Sequence, residues 1–346
     1  MKIRNVLSLF DGIGCGIQAL KDAGIEFDNY YSSEIDKGAI KIALHNHPEI
    51  IPVGDVRNLI GAGFKDIDLI IGGSPCQNFS FCGTRKGMTT VEGVEVTSLE
   101  QYLDLCKEGF EFNGQSYLFW EFVRLIKDIQ PKYFLLENVR MNKKWSDLIT
   151  EILGVEPIDI NSKRLLPQDR FRKYWTNIES TVPEDRSPSL SDFIWQAETG
   201  VGFRGVADPS KPIKKGKVGY TVKLQIRKDN IANAILTSLG KAETGHGTGH
   251  YMTVDKMIKT FEPEHCEILQ GLPKGYTDVE GVSRTKRIQT IGNGWTVPVI
   301  SHLFSQIKST VDPSRPTSPT QEEREMHDME RGGDKTPYYS HWPKGW

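Results

Sequence analysis

Cys76, Glu137, Asn138, Arg170 and Arg172 are the residues of this sequence whose types and settings best suit chemistry at carbon. Cys76 lies in GGSPCQNFS, directly after the apolar run DIDLIIGG. A lone cysteine is most often a small buried hydrophobe, and that reading suits Cys15 and Cys266. Cys76 differs, because Pro75 and the glycines before it form a rigid, irregular loop at a strand's C-terminal end, where open α/β sheets bind ligands. The thiolate is the reactive form, so such a site must stabilise it electrostatically. Glu137 and Asn138 close the run KYFLLEN. An acid there is commonly a helix cap or an ion-pair partner. Partly desolvated, it can instead stay protonated near neutral pH and donate a hydrogen bond. In PQDRFRKYW, Arg170 and Arg172 leave one face of an extended segment at period two. Their guanidinium groups suit an anion or a carbonyl oxygen.

A second set of residues describes a nucleoside pocket. In LSLFDGIGCG a strand ends at Phe10, and Asp11, Gly12 and Gly14 open a helix. Glycines there allow a tight turn and close approach of a ligand. The match to GxGxxG is partial, so a nicotinamide or flavin site and a plain strand-to-helix turn stay open as alternatives. Glu34 ends the second strand, where an acid accepts hydrogen bonds from ribose hydroxyls. Asp55, beyond the third, is placed to accept from an adenine amino group.

These residues need a sheet to carry them. NVLSLF, DNYYSSE, DIDLIIGG, KYFLLEN and RKYWTNI read as strands. GCGIQALKDAG, closed by Gly24, and DKGAIKIALHNH, ended by Pro48, read as helices. LFWEFVRLIKDIQ places Leu118, Phe122, Leu125 and Ile129 at helical spacing before Pro131. The alternation predicts an α/β fold, with a mostly parallel sheet covered by helices on both faces. EPEHCEILQGLP and TVPVISHLFSQIKS resume the helical pattern near the end. At 346 residues, with 38% hydrophobic and 25% charged residues, the chain suits one large domain and a smaller one. Five irregularly spaced cysteines without a CxxC pair predict neither a disulfide framework nor a structural zinc site. The lack of a long apolar run predicts a cytoplasmic protein, in a bacterial cell or a phage-infected host. Net charge of −2 gives no global case for nucleic-acid binding. Between Val201 and Asn230, however, eight Lys or Arg residues face Asp208 and Asp229. That segment reads as a solvated surface or as a basic patch.

FDGIGCG, SPCQ, ENV, QDRFR and IGNGWTVPV occur in the order found in cytosine-C5 DNA methyltransferases, and the chain resembles that family over nearly all of residues 4 to 308. RLIKDIQPKYFLLENV, EILQGLPKGYT and GWTVPVISHLF add to the likeness. The last is nearest the animal de novo branch, while PCQ and IGN lean bacterial or phage, which suggests a microbial or viral member near that branch. The resemblance implies a Rossmann-like methyltransferase fold with a smaller target recognition domain. The implied boundaries are 1–178 for the first part of the catalytic domain, 179–258 for target recognition, 259–311 for the return and 312–346 for a disordered tail.

It also implies transfer of a methyl group from S-adenosyl-L-methionine to C5 of a cytosine flipped out of duplex DNA, leaving S-adenosyl-L-homocysteine. Cys76 would add to C6, Glu137 would bind at N3, Arg172 would hold the base carbonyl with Arg170 in support, and Asn138 would join them in the catalytic set. The cofactor pocket would draw on Phe10, Asp11, Gly12, Ile13, Gly14, Cys15, Glu34, Ile35, Asp55, Val56, Arg57, Gly72, Asn293, Gly294 and Trp295. Within the basic segment, Lys211, Lys214, Lys215, Lys217, Lys223, Arg227 and Lys228 become the expected DNA contacts. Implied partners are duplex DNA, with a second copy of the chain and a cognate restriction endonuclease both open. Three other readings compete. A tRNA-methylating relative would carry Cys-Phe-Thr, which the sequence lacks; a regulatory relative would have lost the cysteine; an oxidoreductase would use the glycine turn without the Cys–Glu–Arg set. The stretch between Lys86 and Gln115 is longer than the resemblance leads one to expect, and reads as a loop that covers the base or decorates the surface.

Overall fold

The computed structural model describes residues 2–76, 79, 88–207, 220–237, 239 and 249–307, with backbone alone at 202–207 and 220–225. The chain divides at Thr310 into two compact units, and all described residues lie in the first, Met1–Thr310. The expected tail and Lys211, Lys214, Lys215 and Lys217 lie outside the described residues.

The chain begins β1 (Lys2–Leu9), α1 (Cys15–Asp22), β2 (Glu26–Ser33), α2 (Lys37–Asn46), β3 (Ile50–Pro52) and β4 (Ile67–Gly72). It continues α3 (Leu99–Lys107), α4 (Phe119–Ile129), β5 (Tyr133–Val139), α5 (Lys143–Leu153), β6 (Ile158–Asn161), β7 (Gln168–Asp169) and β8 (Phe171–Thr176). Then come α6 (Leu190–Phe193), β9 (Ala197–Ala207), β10 (Tyr220–Ile226), β11 (Ala232–Asn233), β12 (His250–Thr253) and β13 (Ile258–Thr260). Three helices close the unit: α7 (Pro263–Gln270), α8 (Arg284–Asn293) and α9 (Val297–Phe304). Local chemistry sets many of these limits. The Asp36 side chain accepts from the N–H groups of Gly38 and Ala39 at the start of α2, and Asn142 does the same for Lys144 in α5. Gly154, at φ +68°, ends α5 in the left-handed region.

Seven strands form one sheet in the order β3-β2-β1-β4-β5-β8-β6. Pairing is parallel from β3 through β5, whereas β8 runs antiparallel to both β5 and β6. The mostly parallel sheet expected from the sequence is therefore present, with an antiparallel edge that alternation of runs does not reveal. Because side chains alternate across a strand, the sheet feeds two cores. Val6, Tyr30, Leu69, Ile71 and Leu135 join the core under α1, α2, α7, α8 and α9. Leu7, Leu9, Ile70, Leu136 and Trp175 join the one under α4 and α5. Burial on both faces is why these strands read as continuous apolar runs.

The stretch between β8 and α7 builds a second sheet, in the antiparallel order β10-β9-β12-β13, and β11 pairs in parallel with β7. The long interval after Cys76 is not all loop. Ser98 caps α3, Tyr102 donates to Glu121 at 2.6 Å, and Arg124 closes on the same carboxylate at 2.6 Å. Phe112 and Tyr117 stack beside Tyr102. Helix α3 was hidden in the sequence because it is short and its stabilising partner lies on another helix. No helix among the described residues is long and apolar enough to cross a membrane.

The chain runs outward from β1 through β2 to β3 on one side, and from β4 to β5 on the other. The C-terminal ends of β1 and β4 therefore flank a reversal of winding, the place where such sheets bind ligands. Leu9 and Gly72 pair there, so the Phe10–Gly14 turn and the Gly73–Cys76 loop start side by side.

Candidate active site

Phe10, Gly12 and Gly14 all have positive φ, at 58°, 64° and 80°. For Phe10 this is a strained conformation that the surroundings must hold in place. Asp11 does much of that holding. Its buried carboxylate accepts from Ser8 Oγ at 2.5 Å, Tyr30 OH at 2.6 Å and Ser32 Oγ at 2.9 Å. The carboxylate is turned into the sheet, leaving the turn's backbone to face a ligand. Burial raises its pKa from 3.8 to about 6 against those hydroxyl bonds. A raised folded-state value means that the folded chain holds the proton after the unfolded chain has lost it. Stability from this group therefore falls as pH rises from roughly 4 to 6. Native unfolding free energy should drop across that window by about 3 kcal/mol relative to Asp11→Asn, since each tenfold difference in proton affinity is worth about 1.4 kcal/mol. Urea unfolding of both chains across the window checks this.

Glu34 faces the same turn. Its Oε2 accepts from Gly12 N–H at 2.8 Å, and its Oε1 accepts from the N–H groups of Ile35 and Asp36, each at 2.8 Å. A carboxylate has about four acceptor directions, so these three bonds leave room for a hydroxyl donor. Ile35 beside it is 60% exposed, an apolar surface on which a flat ring can rest. A side chain at Gly12 would meet nothing within 4 Å, so open space lies in front of the turn. These residues fit a nucleoside-bearing cofactor. Asp55, expected to accept from an adenine amino group, is engaged by its neighbour Arg57. Its carboxylate takes Arg57 Nη2 at 2.5 Å, and although burial works to raise it, Arg57 holds it below the usual carboxylate range. Val56 and Ile13 are buried beneath the site, and Asn293 is exposed at the end of α8. Cys15 is a buried anchor whose thiol burial pushes up to about 12, with a backbone hydrogen bond from Trp295.

Across the reversal stands Cys76, half-buried, its carbonyl accepting from Phe79 N–H at 3.0 Å. Burial pushes its thiol up; the charge of Glu137 adds to that, and Arg172 and Arg170 pull the other way. Glu137 opposes Tyr174 in the β5–β8 ladder and Val139 opposes Arg172, which puts Arg172 diagonally beside Glu137 on one face. Arg172 Nε meets Glu137 Oε1 at 2.8 Å, with both side chains largely buried. Gly73 lies between Glu137 and Trp295. A Cβ there would stand 2.8 Å from Trp295 Nε1 and 3.2 Å from Glu137 Oε2, so only glycine permits this closeness. Gly72, the strand's last residue, is packed against Leu9 O and the Phe122 ring.

The structure thus brings Cys76, Glu137 and Arg172 together, beside the glycine turn and Trp295. The other residues expected near them have different tasks. Asn138 donates to Ser74 O and Ser74 Oγ, both at 3.1 Å, and so ties the end of β5 to the cysteine loop. Arg170 is buried and turns away from Glu137, donating to the carbonyls of Ile235, Gly292 and Gly294 at 3.1, 3.1 and 2.8 Å. Burial lowers its pKa to about 9. Arg227 is held by Asp169 at 3.0 Å and Asp229 at 2.7 Å, so its charge is engaged within the fold. Lys228 is exposed, and only the backbone of Lys223, on β10, is described. Ser74 and Gln168 went unnoticed in the sequence. Their partners lie 64 residues or more away, and no local spacing reveals such contacts.

The sheet order and its reversal, with the antiparallel β8, are those of the Rossmann-like fold of AdoMet-dependent methyltransferases. Entamoeba histolytica methyltransferase EhMeth shares it, at TM-score 0.60 and 18% identity over 88% of this chain and 98% of that one. Residues 4–150 match the C-5 cytosine-specific DNA methylase family, which bears out the resemblance seen in the sequence. Orphan methyltransferase M.Rho11sI of Bacillus phage rho11s is 37% identical over 137 residues, 39% of this chain. The match spans only 23% of that relative's length, about a quarter. Orphan methyltransferase M.SPBetaI of Bacillus phage SPbeta is 25% identical over 90% of this chain and 76% of its own.

Proposed function

We propose that the chain transfers a methyl group from S-adenosyl-L-methionine to C5 of a cytosine extruded from duplex DNA, through a covalent bond between Cys76 and C6. The observation that carries this reading is the Cys76–Glu137–Arg172 set at the reversal point, a glycine's breadth from Trp295. S-adenosyl-L-methionine, held by the Phe10–Gly14 backbone with Glu34 and Ile35, supplies an electrophilic methyl group.

A cytosine in the stack has its ring faces covered, so the base must leave the duplex to meet Cys76. The thiolate adds to C6 while Glu137 binds at N3, and the C5–C6 electron pair becomes available at C5. After methylation the C5 proton leaves to a base, and the Sγ–C6 pair returns to sulfur. Covalent addition divides one hard substitution into easier steps. Arg172 orients Glu137 through Nε and gives one more bond, Nη1 to Phe171 O at 2.8 Å. Of five guanidinium donors, that leaves others for the base carbonyl. The four-stranded sheet serves target recognition, with Lys228, Lys223 and the lysines between 211 and 217 as phosphate contacts whose contribution weakens with salt. The phage relatives are named orphan methyltransferases, which supports a chain that works without a cognate endonuclease.

Tritium transfer from labelled S-adenosyl-L-methionine to cytosine-containing DNA tests the reading, and bisulfite sequencing of host DNA gives the context. Tritium that stays off DNA in the presence of bound cofactor would defeat it. Gly73→Ala should lower turnover by about 10²-fold, because a shift of about 1 Å between Trp295 and Glu137 misplaces the reacting groups. Single-turnover transfer measures that loss.

A further inference from the structure

Gln168, Asp169 and Arg170 immediately precede the strand that carries Arg172, and each reaches a part of the chain that the proposed chemistry does not explain. Gln168 and Asp169 pair with Ala232 and Asn233 of β11. Gln168 Oε1 accepts from Ile235 N–H at 3.0 Å, and its Nε2 donates to Leu269 O at 2.6 Å. Asp169 holds Arg227 at 3.0 Å, and Arg227 N–H donates to Gly200 O in β9 at 2.9 Å. Arg170 joins Ile235 on one side to Gly292 and Gly294 on the other. Those two segments also touch directly, since a Cβ on Gly292 would stand 2.8 Å from Thr237 N and 2.9 Å from Leu236 C.

We propose that Gln168–Asp169–Arg170 is a coupling joint, made of positioning residues, through which occupancy of the cofactor pocket beside Trp295 and engagement of DNA by the second sheet favour one another. The proposal rests on the methyltransferase reading above. Its physical basis is the bonding of Arg170. The guanidinium is buried, and among the described residues its hydrogen-bond partners are three carbonyls and no carboxylate. A buried cation so held depends on every acceptor being in place, because a displaced carbonyl leaves charge without compensation. Ile235 leads back to the second sheet through β11 and Arg227, while Gly294 leads forward to Trp295. Ordering either segment therefore lowers the cost of ordering the other. Reciprocity is then required: each ligand strengthens the other by the same factor.

The test is titration of the full chain with S-adenosyl-L-homocysteine, with and without sheared genomic DNA, by calorimetry. In the native chain DNA should tighten S-adenosyl-L-homocysteine binding at least about fivefold, the lower end of usual coupling. Arg170→Lys should bring the ratio of the two affinities close to one. A residue that only stabilises the fold would weaken both titrations alike and leave the ratio as it was. A native ratio of one, or an undiminished ratio in Arg170→Lys, overturns the proposal without touching the methyltransferase reading. Where Arg170→Lys does not fold, Asp169→Asn decides by the same ratio, which must fall by at least half. A native chain that binds neither ligand defeats the reading and the joint together.

Discussion

Cys76→Ala is expected to abolish methyl transfer, with a fall on the order of 10⁴-fold or more, as when other covalent nucleophiles are removed. The size follows from the role: without the sulfur, no group in the set can add to C6 and make C5 electron-rich. The substitution removes one atom from a half-buried position at a loop, so the sheet beneath it should stand. Cofactor and DNA binding should survive, since neither the glycine turn nor the second sheet depends on the thiol. Cys15 provides the contrast. It is buried against Trp295 and takes no part in the covalent step, so Cys15→Ala should disturb cofactor binding more than chemistry. Binding measured beside single-turnover transfer separates the two.

Glu137→Gln should move two observables in opposite directions. Methyl transfer should fall by about 10²- to 10⁴-fold, the range usual for losing a positioned acid or base. Alkylation of Cys76 should instead become faster at a given pH. Burial is the largest influence raising that thiol, the Glu137 charge is next, and Arg172 and Arg170 oppose it. Removing the carboxylate takes away one raising influence and releases Arg172 from its 2.8 Å ion pair. The thiolate fraction at a given pH therefore increases. Iodoacetamide rates on a chain whose other cysteines are replaced would show it. A folded variant in which alkylation of Cys76 slows would contradict the geometry, because the carboxylate would then not be raising the thiol.

How much of this could be seen in the sequence depends on how far each residue's partner lies. The strand runs around Leu7, Ile70 and Leu135 were legible because burial on both faces leaves little room for polar residues. Cys76, Glu137 and Arg172 were legible as chemistry because each sits where a run ends. Their meeting point became clear only with the strand order, which puts β5 between β4 and an antiparallel β8. The two arginines of QDRFR show the limit. At period two they share a face, yet Arg172 turns to Glu137 and Arg170 to carbonyls 65 to 124 residues ahead. Arg227 shows it again. The resemblance placed it among the expected DNA contacts, and its guanidinium is paired with Asp169 and Asp229. Charge counts along a segment cannot register such pairing.

The most direct test traps the bond itself. The protein would be incubated with S-adenosyl-L-methionine and a duplex carrying 5-fluorocytosine, whose C5 fluorine cannot depart as a proton does. Mass spectrometry of the digested complex should find the base attached to the peptide containing Cys76, in native protein and not in Cys76→Ala. An adduct on another residue, or methylation of ordinary cytosine by a chain that forms no adduct with the fluorinated duplex, would contradict the account.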